Sequence, residues 1–195
     1  KQNSPIKLTY DRSHSVIYQS AFNKSLTEKW FGKHKNGHII HNAPDLELLS
    51  KVEPIVFDDN NINNTEIWCC ASSWRPHKRL QENLRYFYEK APSDALMIVA
   101  GKNPDIDIIK QYNEKSNGRV LYAGDLNYSL LLSLYKKAST FVHLAYLDHC
   151  PNVVVDAQAS GCHVVCSASG GTSEIISDGT VIPDKEWDFN PVKLY

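Results

Sequence analysis

The sequence has no long apolar run. The longest uninterrupted one, Ala95 to Ala100, is far short of the roughly 20 residues that span a bilayer. No secretory h-region opens the chain, so a soluble protein in the cytoplasm is expected. There is no block of basic residues either: 21 Lys and Arg stand against 22 Asp and Glu, for a net charge of −1. That balance argues against gripping nucleic acid through its phosphates. Neither G-x-G-x-x-G nor G-x-x-x-x-G-K-[ST] occurs, which removes the main support for dinucleotide binding and for P-loop chemistry. Cysteines are few and odd in number: Cys69, Cys70, Cys150, Cys162 and Cys166. No C-x-x-C or H-x3-H pair makes a zinc site of Cys162, His163 and Cys166 with His143 and His149, so small buried thiols in a reducing compartment are expected.

What is present is an ordinary globular mix, 42% hydrophobic and 22% charged. From residue 66 onward, apolar runs alternate with amphipathic stretches. Strands are expected at 66–71, 96–101, 119–124, 140–146, 163–166 and 181–182. Helices are expected at 78–91, 106–115, 127–138 and 151–160, the last closed by Gly161, with a short one at 172–177. Strands that are apolar throughout imply a parallel sheet covered on both faces, an α/β doubly wound, Rossmann-like layer. Ligands of such sheets lie beyond the carboxyl ends of the strands.

The first third is less regular, with strands at 16–19 and 38–41 around a helix at 23–31 that Gly32 stops. The polar stretch 58–64 reads as a solvated loop, and a boundary falls around residues 50 to 64.

Three loops carry candidate chemistry. Ser72-Ser73-Trp74-Arg75-Pro76-His77-Lys78-Arg79 leads into a helix, and cations there become favourable when an anion such as a diphosphate docks. The alternative is that long basic side chains extend into water. Asp148 lies at a strand end and Asp156 eight residues later on the following helix, so both carboxylates can face one crevice and accept hydrogen bonds from vicinal hydroxyls. Asp156 sits in an otherwise apolar run and demands a partner, while the amides around Asn152 and Val153 can meet a phosphate. Gly170-Gly171 permits close backbone approach, with Glu174 in the next first turn.

In this order the motifs resemble the C-terminal, donor-binding half of the retaining GT-B glycosyltransferases of the large group 1 family. The resemblance rests on Asp148, then Asp156-Ala-Gln-Ala-Ser-Gly161-Cys-His-Val-Val165, then Gly170-Gly-Thr-Ser-Glu174-Ile-Ile176. The strand-glycine-helix unit at Val120 to Ala138 and the linker-like His38 to Asp45 extend it. It implies that residues 1–50 are the tail of an N-terminal acceptor domain with its linker, and 51–195 a nucleotide-sugar donor domain. It further implies that Asp148 contacts hydroxyls of the donor sugar, Asp156 the ribose, and Lys78 the diphosphate, with the base against the backbone near Tyr122 to Gly124. Asn152, Val153 and Glu174 complete the implied donor site. The family arginine's position is Ser73, so Arg75 would substitute, and both acids are Asp where Glu is usual. The resemblance implies no metal or other cofactor, a UDP- or GDP-sugar as substrate, a glycan, lipid or protein acceptor held by a further domain, and a chain that transfers sugar poorly alone. A sugar-nucleotide epimerase or phosphorylase of the same architecture, or a degenerate non-catalytic module, are the alternatives.

Overall fold

Ile67–Ala71 is apolar on both sides, and all five residues are buried, so this segment (β3) can only be an interior strand. In the computed structural model, which describes residues 4–190, it stands at the middle of a six-stranded sheet. The other strands are β4 (Leu96–Ala100), β5 (Val120–Tyr122), β6 (Thr140–His143), β7 (His163–Ser167) and β8 (Gly179–Ile182). Every pairing is parallel, in the order β5-β4-β3-β6-β7-β8.

Alternation along the strands divides the core in two. Cys69 points with Phe141, Val164 and Cys166 to one face, covered by α3 (Leu46–Lys51), α7 (Tyr128–Lys137) and α8 (Asn152–Ala159). Cys70 points with Val99, Val142 and Val165 to the other, covered by α5 (Leu80–Lys90) and α6 (Ile106–Lys115). The sheet is thus doubly wound, as the apolar strands require. Leu84 and Phe87 of α5 are fully buried, and truncating such a phenylalanine costs about 3–5 kcal/mol.

The N-terminal segment forms a second, two-stranded parallel sheet of β1 (Val16–Tyr18) and β2 (Gly37–Ile39), with α1 (Ser4–Arg12) and α2 (Ala21–Phe31). Tyr10 and Tyr18 bring their hydroxyls together at 2.9 Å in its small core.

The structure corrects several expectations. Helix 78–91 begins only at Leu80, after a separate 3-10 turn at Pro76–Lys78 and a left-handed Arg79 (φ 52°), because Pro76 opens its own turn. The stretch 58–64 contains a one-turn helix, α4 (Asn60–Asn63), capped by Asp59, whose carboxylate accepts the Asn61 N–H. Helices α1 and α3 were not expected, and 172–177 shortens to a 3-10 turn at Thr172–Glu174.

The chain builds outward from β3 to β5, then returns to the opposite side of β3 as β6. The crevice between the carboxyl ends of β3 and β6 is therefore the topological switch point, where ligands of open α/β sheets bind.

Candidate functional site

Two loops meet over this switch point. After β3 the chain runs through residues 72–75 to the Pro76–Lys78 turn, and after β6 through residues 144–151 to α8. The Tyr146 N–H donates to the His77 carbonyl at 2.7 Å, which fastens one loop to the other. At their junction Lys78 Nζ lies 2.5 Å from Asp148 Oδ2, with both side chains less than one-fifth exposed.

Asp148 has two further donors. His143 Nε2 is 3.1 Å from the same oxygen, and the His149 N–H donates to Oδ1 at 3.0 Å. Burial alone would raise the Asp148 pKa; the His143 hydrogen bond and the Lys78 charge outweigh it and hold the carboxyl well below the usual range. Burial pushes His143 and His149 the other way, toward the neutral form. The Asp148 backbone is fixed too: its carbonyl accepts the Gly171 N–H at 2.7 Å, and a Cβ on Gly170 would stand 2.3 Å from that carbonyl oxygen. The paired glycines thus let two loops touch.

Beyond the carboxyl ends of β3 and β4 lies a cleft of about 360 Å³, lined by Ser72, Ser73, Gly101, Leu126, Leu131 and Val153 among others. Gly101 is required there, since its φ is +107° and a Cβ would lie 1.9 Å from the Ser72 carbonyl oxygen. Its N–H donates to the Gly124 carbonyl at 2.8 Å and its carbonyl accepts the Tyr122 hydroxyl at 2.8 Å. Ser73 and Val153 therefore line one cleft, and Tyr122 and Gly124 are tied to its Gly101 wall by hydrogen bonds.

Asp156 is buried on α8, three residues beyond Val153 and so on the same side of the helix. The Tyr128 hydroxyl donates to its Oδ1 at 3.1 Å. Burial raises its pKa, against the Tyr128 hydrogen bond, and the charge of Asp45 raises it further. Asp148 and Asp156 thus occupy separate environments of opposite character. At the switch point hydrogen bonds and a cation favour the charged form of Asp148, whereas on α8 burial disfavours that of Asp156.

Three expected site residues have other side-chain neighbours in this structure. Arg75 lines a different cleft of about 380 Å³ with Trp74, Arg79, Glu82 and Asp105, rather than joining Lys78. The Asn152 side chain accepts from Asn42 of the linker at 2.6 Å, and Asn42 also donates to the Cys150 carbonyl at 2.9 Å. The amide turn that Asn152 and Val153 begin has Pro151 at the cap position and no side-chain cap. Glu174 departs furthest from a donor contact: its carboxylate accepts the N–H groups of Ala21 and Phe22 at 2.6 and 2.8 Å, capping α2. Beneath it, Gly171 lies where a Cβ would meet Ser20 Oγ at 2.5 Å.

Sequence reasoning missed His143, Tyr128 and Asn83 as parts of this site. His143 carried a signal, an imidazole at the end of an apolar strand, which burial obliges to find a partner. All five cysteines are unpaired and buried, and Cys162 Sγ donates to the Tyr135 carbonyl, a structural thiol. Among the described residues no three His, Cys, Asp or Glu side chains are placed to hold a metal ion.

A family model described as "Glycosyl transferases group 1" matches residues 52–188. No curated protein sequence matches significantly. Among solved structures, the chain is similar to sucrose-phosphate synthase from Thermosynechococcus elongatus (18% identity, TM-score 0.72, 93% of this chain and 48% of that one). It is similar to Anabaena HepE in complex with UDP (17%, 0.74, 93% and 53%). A UDP-forming α,α-trehalose-phosphate synthase from Burkholderia xenovorans is a third (12%, 0.67, 87% and 50%). At these identities the likeness establishes the fold, one Rossmann-like half of a GT-B architecture. The chain spans about half the length of these structures.

Proposed function

Because the chain belongs to the group 1 glycosyl transferases, we propose that it binds the nucleotide-sugar donor of a retaining glycosyltransferase across the carboxyl ends of β3 and β6. The observation that carries this reading is the Lys78–Asp148 ion pair, standing where the loops after β3 and β6 meet at the switch point. The cation that would meet a diphosphate lies against the carboxylate that would meet the sugar. Donor binding exchanges partners: Lys78 turns to the diphosphate, and Asp148 accepts hydrogen bonds from sugar hydroxyls. The base enters the cleft between Ser73, Leu126 and Val153, and the ribose hydroxyls replace Tyr128 at Asp156.

Departure of the nucleoside diphosphate develops negative charge on its oxygens, and a preplaced cation stabilises that charge. Lys78 and the amides of the first turn of α8 serve this purpose without a metal. The acceptor, whether glycan, lipid or protein, is held by a further domain that closes over the donor. The unpaired thiols suit a cytoplasmic location, and among the described residues no helix is long and apolar enough to cross a membrane.

Calorimetric titration with UDP, GDP and their sugars tests the reading. Binding by the wild type is expected, with UDP the first probe, and its loss in Lys78→Ala and Asp156→Ala. A wild type that takes up none of them at millimolar concentration overturns it.

A further inference from the structure

We propose that His143 is a positioning residue for Asp148, an imidazole fixed in the sheet that keeps the carboxylate aimed at the sugar once Lys78 has left it for the diphosphate. The inference rests on the donor reading above, and it concerns a residue in which that reading has no part.

The geometry is specific. His143 is the last residue of β6, a central strand, and is 4% exposed. Its ring stacks on Phe141 of the same face, with centroids 6.2 Å apart and planes 14° from parallel. Packing on a strand leaves the imidazole little freedom. Its Nε2 reaches Asp148 Oδ2 at 3.1 Å, the oxygen that Lys78 also holds.

The chemistry follows from the inventory of protons. A neutral imidazole has one N–H and one acceptor nitrogen, and a carboxylate can only accept. The nitrogen facing Asp148 must therefore carry the hydrogen, which sets the tautomer as Nε2–H. Burial keeps the ring neutral, so it donates without competing as a charge for the diphosphate.

Lys78 is a different kind of partner. It is a point charge on a long flexible stem, and a diphosphate with two or more negative charges attracts it more strongly than one carboxylate. When it moves, Oδ2 would lose its strongest donor and a largely buried carboxylate would turn to find another. The His143 N–H and the His149 backbone N–H remain, one on each oxygen, and they hold the carboxylate plane. A residue that merely filled this slot would be apolar, as Phe141 and Val164 beside it are.

Two measurements decide the matter, the first needing no ligand. Carboxyl carbon NMR of Asp148, followed from pH 8 down to the pH at which the fold is lost, is expected to show an ionised group throughout in the wild type. In His143→Phe its midpoint rises by roughly one unit, since a donor to the charged form is lost, and His143→Gln recovers part of this. An unchanged midpoint in His143→Phe overturns the proposal. Where His143→Phe does not fold, Asp148→Asn read at the wild-type imidazole nitrogens takes its place. The single Nε2–H tautomer is expected to become mixed, and an unchanged pattern overturns the proposal.

The second measurement is calorimetry with UDP and UDP-glucose. His143→Phe is expected to keep UDP affinity within about twofold while the additional affinity conferred by glucose falls about tenfold, the worth of one hydrogen bond to a charged group. His143→Gln restores most of it. Equal losses for UDP and UDP-glucose would mean general disruption and overturn the proposal. A wild type that binds neither defeats the donor reading, and the ligand-free measurement then decides the His143–Asp148 relation by itself.

Discussion

The side chain of Asn83, on α5, reaches Leu144 at the end of β6, where its Oδ1 accepts the Leu144 N–H at 3.0 Å. Its Nδ2 donates to the carbonyls of Lys78 and Arg79 at 3.0 and 2.7 Å. One buried amide thus spaces the loop bearing Lys78 from the strand that leads to Asp148. A leucine at position 83 would leave a buried N–H and two carbonyls without this partner. Asn83→Leu is expected to lose about 2–4 kcal/mol in urea unfolding, and to weaken UDP binding as the two loops part. Full stability with full affinity would refute the role.

Lys78→Ala is expected to weaken UDP binding by roughly ten- to a hundredfold, the range for a charge-assisted contact. It also alters acid stability. The folded pKa of Asp148 lies below its unfolded value of about 3.9, so its contribution is present above that pH and lost as pH falls toward the folded value. Without Lys78 that depression shrinks, and the acid-unfolding midpoint moves to higher pH. Circular dichroism against pH measures it.

Asp156 has the opposite sign. Its folded pKa is raised, so its stabilising contribution is complete below the unfolded pKa of about 3.9 and is lost as pH rises through the folded value. Asp156→Asn removes that loss while still accepting from Tyr128. The variant is expected to melt higher than wild type at pH 7, with the difference closing by pH 4, and to bind UDP less well. Equal melting temperatures at pH 7 would show that the burial carries no penalty.

Glu174→Ala removes the carboxylate that accepts the first two N–H groups of α2. It is expected to lose about 1–2 kcal/mol and to speed amide exchange in residues 21–24, while UDP affinity stays within about twofold. A large loss of affinity with α2 still protected would place Glu174 at the donor instead.

Much of this was legible along the chain. Continuously apolar runs such as Leu96–Ala100 and the amphipathic Ile106–Lys115 declare themselves, because burial on two faces or on one leaves a pattern in composition. The order of charged loops after those strands likewise placed Lys78 and Asp148 at carboxyl ends. Helix α1 and the one-turn α4 carried too little periodicity to be seen, and Arg79's left-handed turn is set by the loops it joins.

Alternating strands and helices with turn residues between them were sufficient to determine a doubly wound parallel sheet and the edge at which it presents its loops. Tertiary structure alone decided that His143, Lys78 and Asp148 share one oxygen, that Tyr128 meets Asp156, and that Glu174 serves a helix from the other end of the chain. The physical reason is range. Periodicity and propensity act over a few residues, whereas these contacts join residues 5 to 153 positions apart and exist only once the sheet order is fixed.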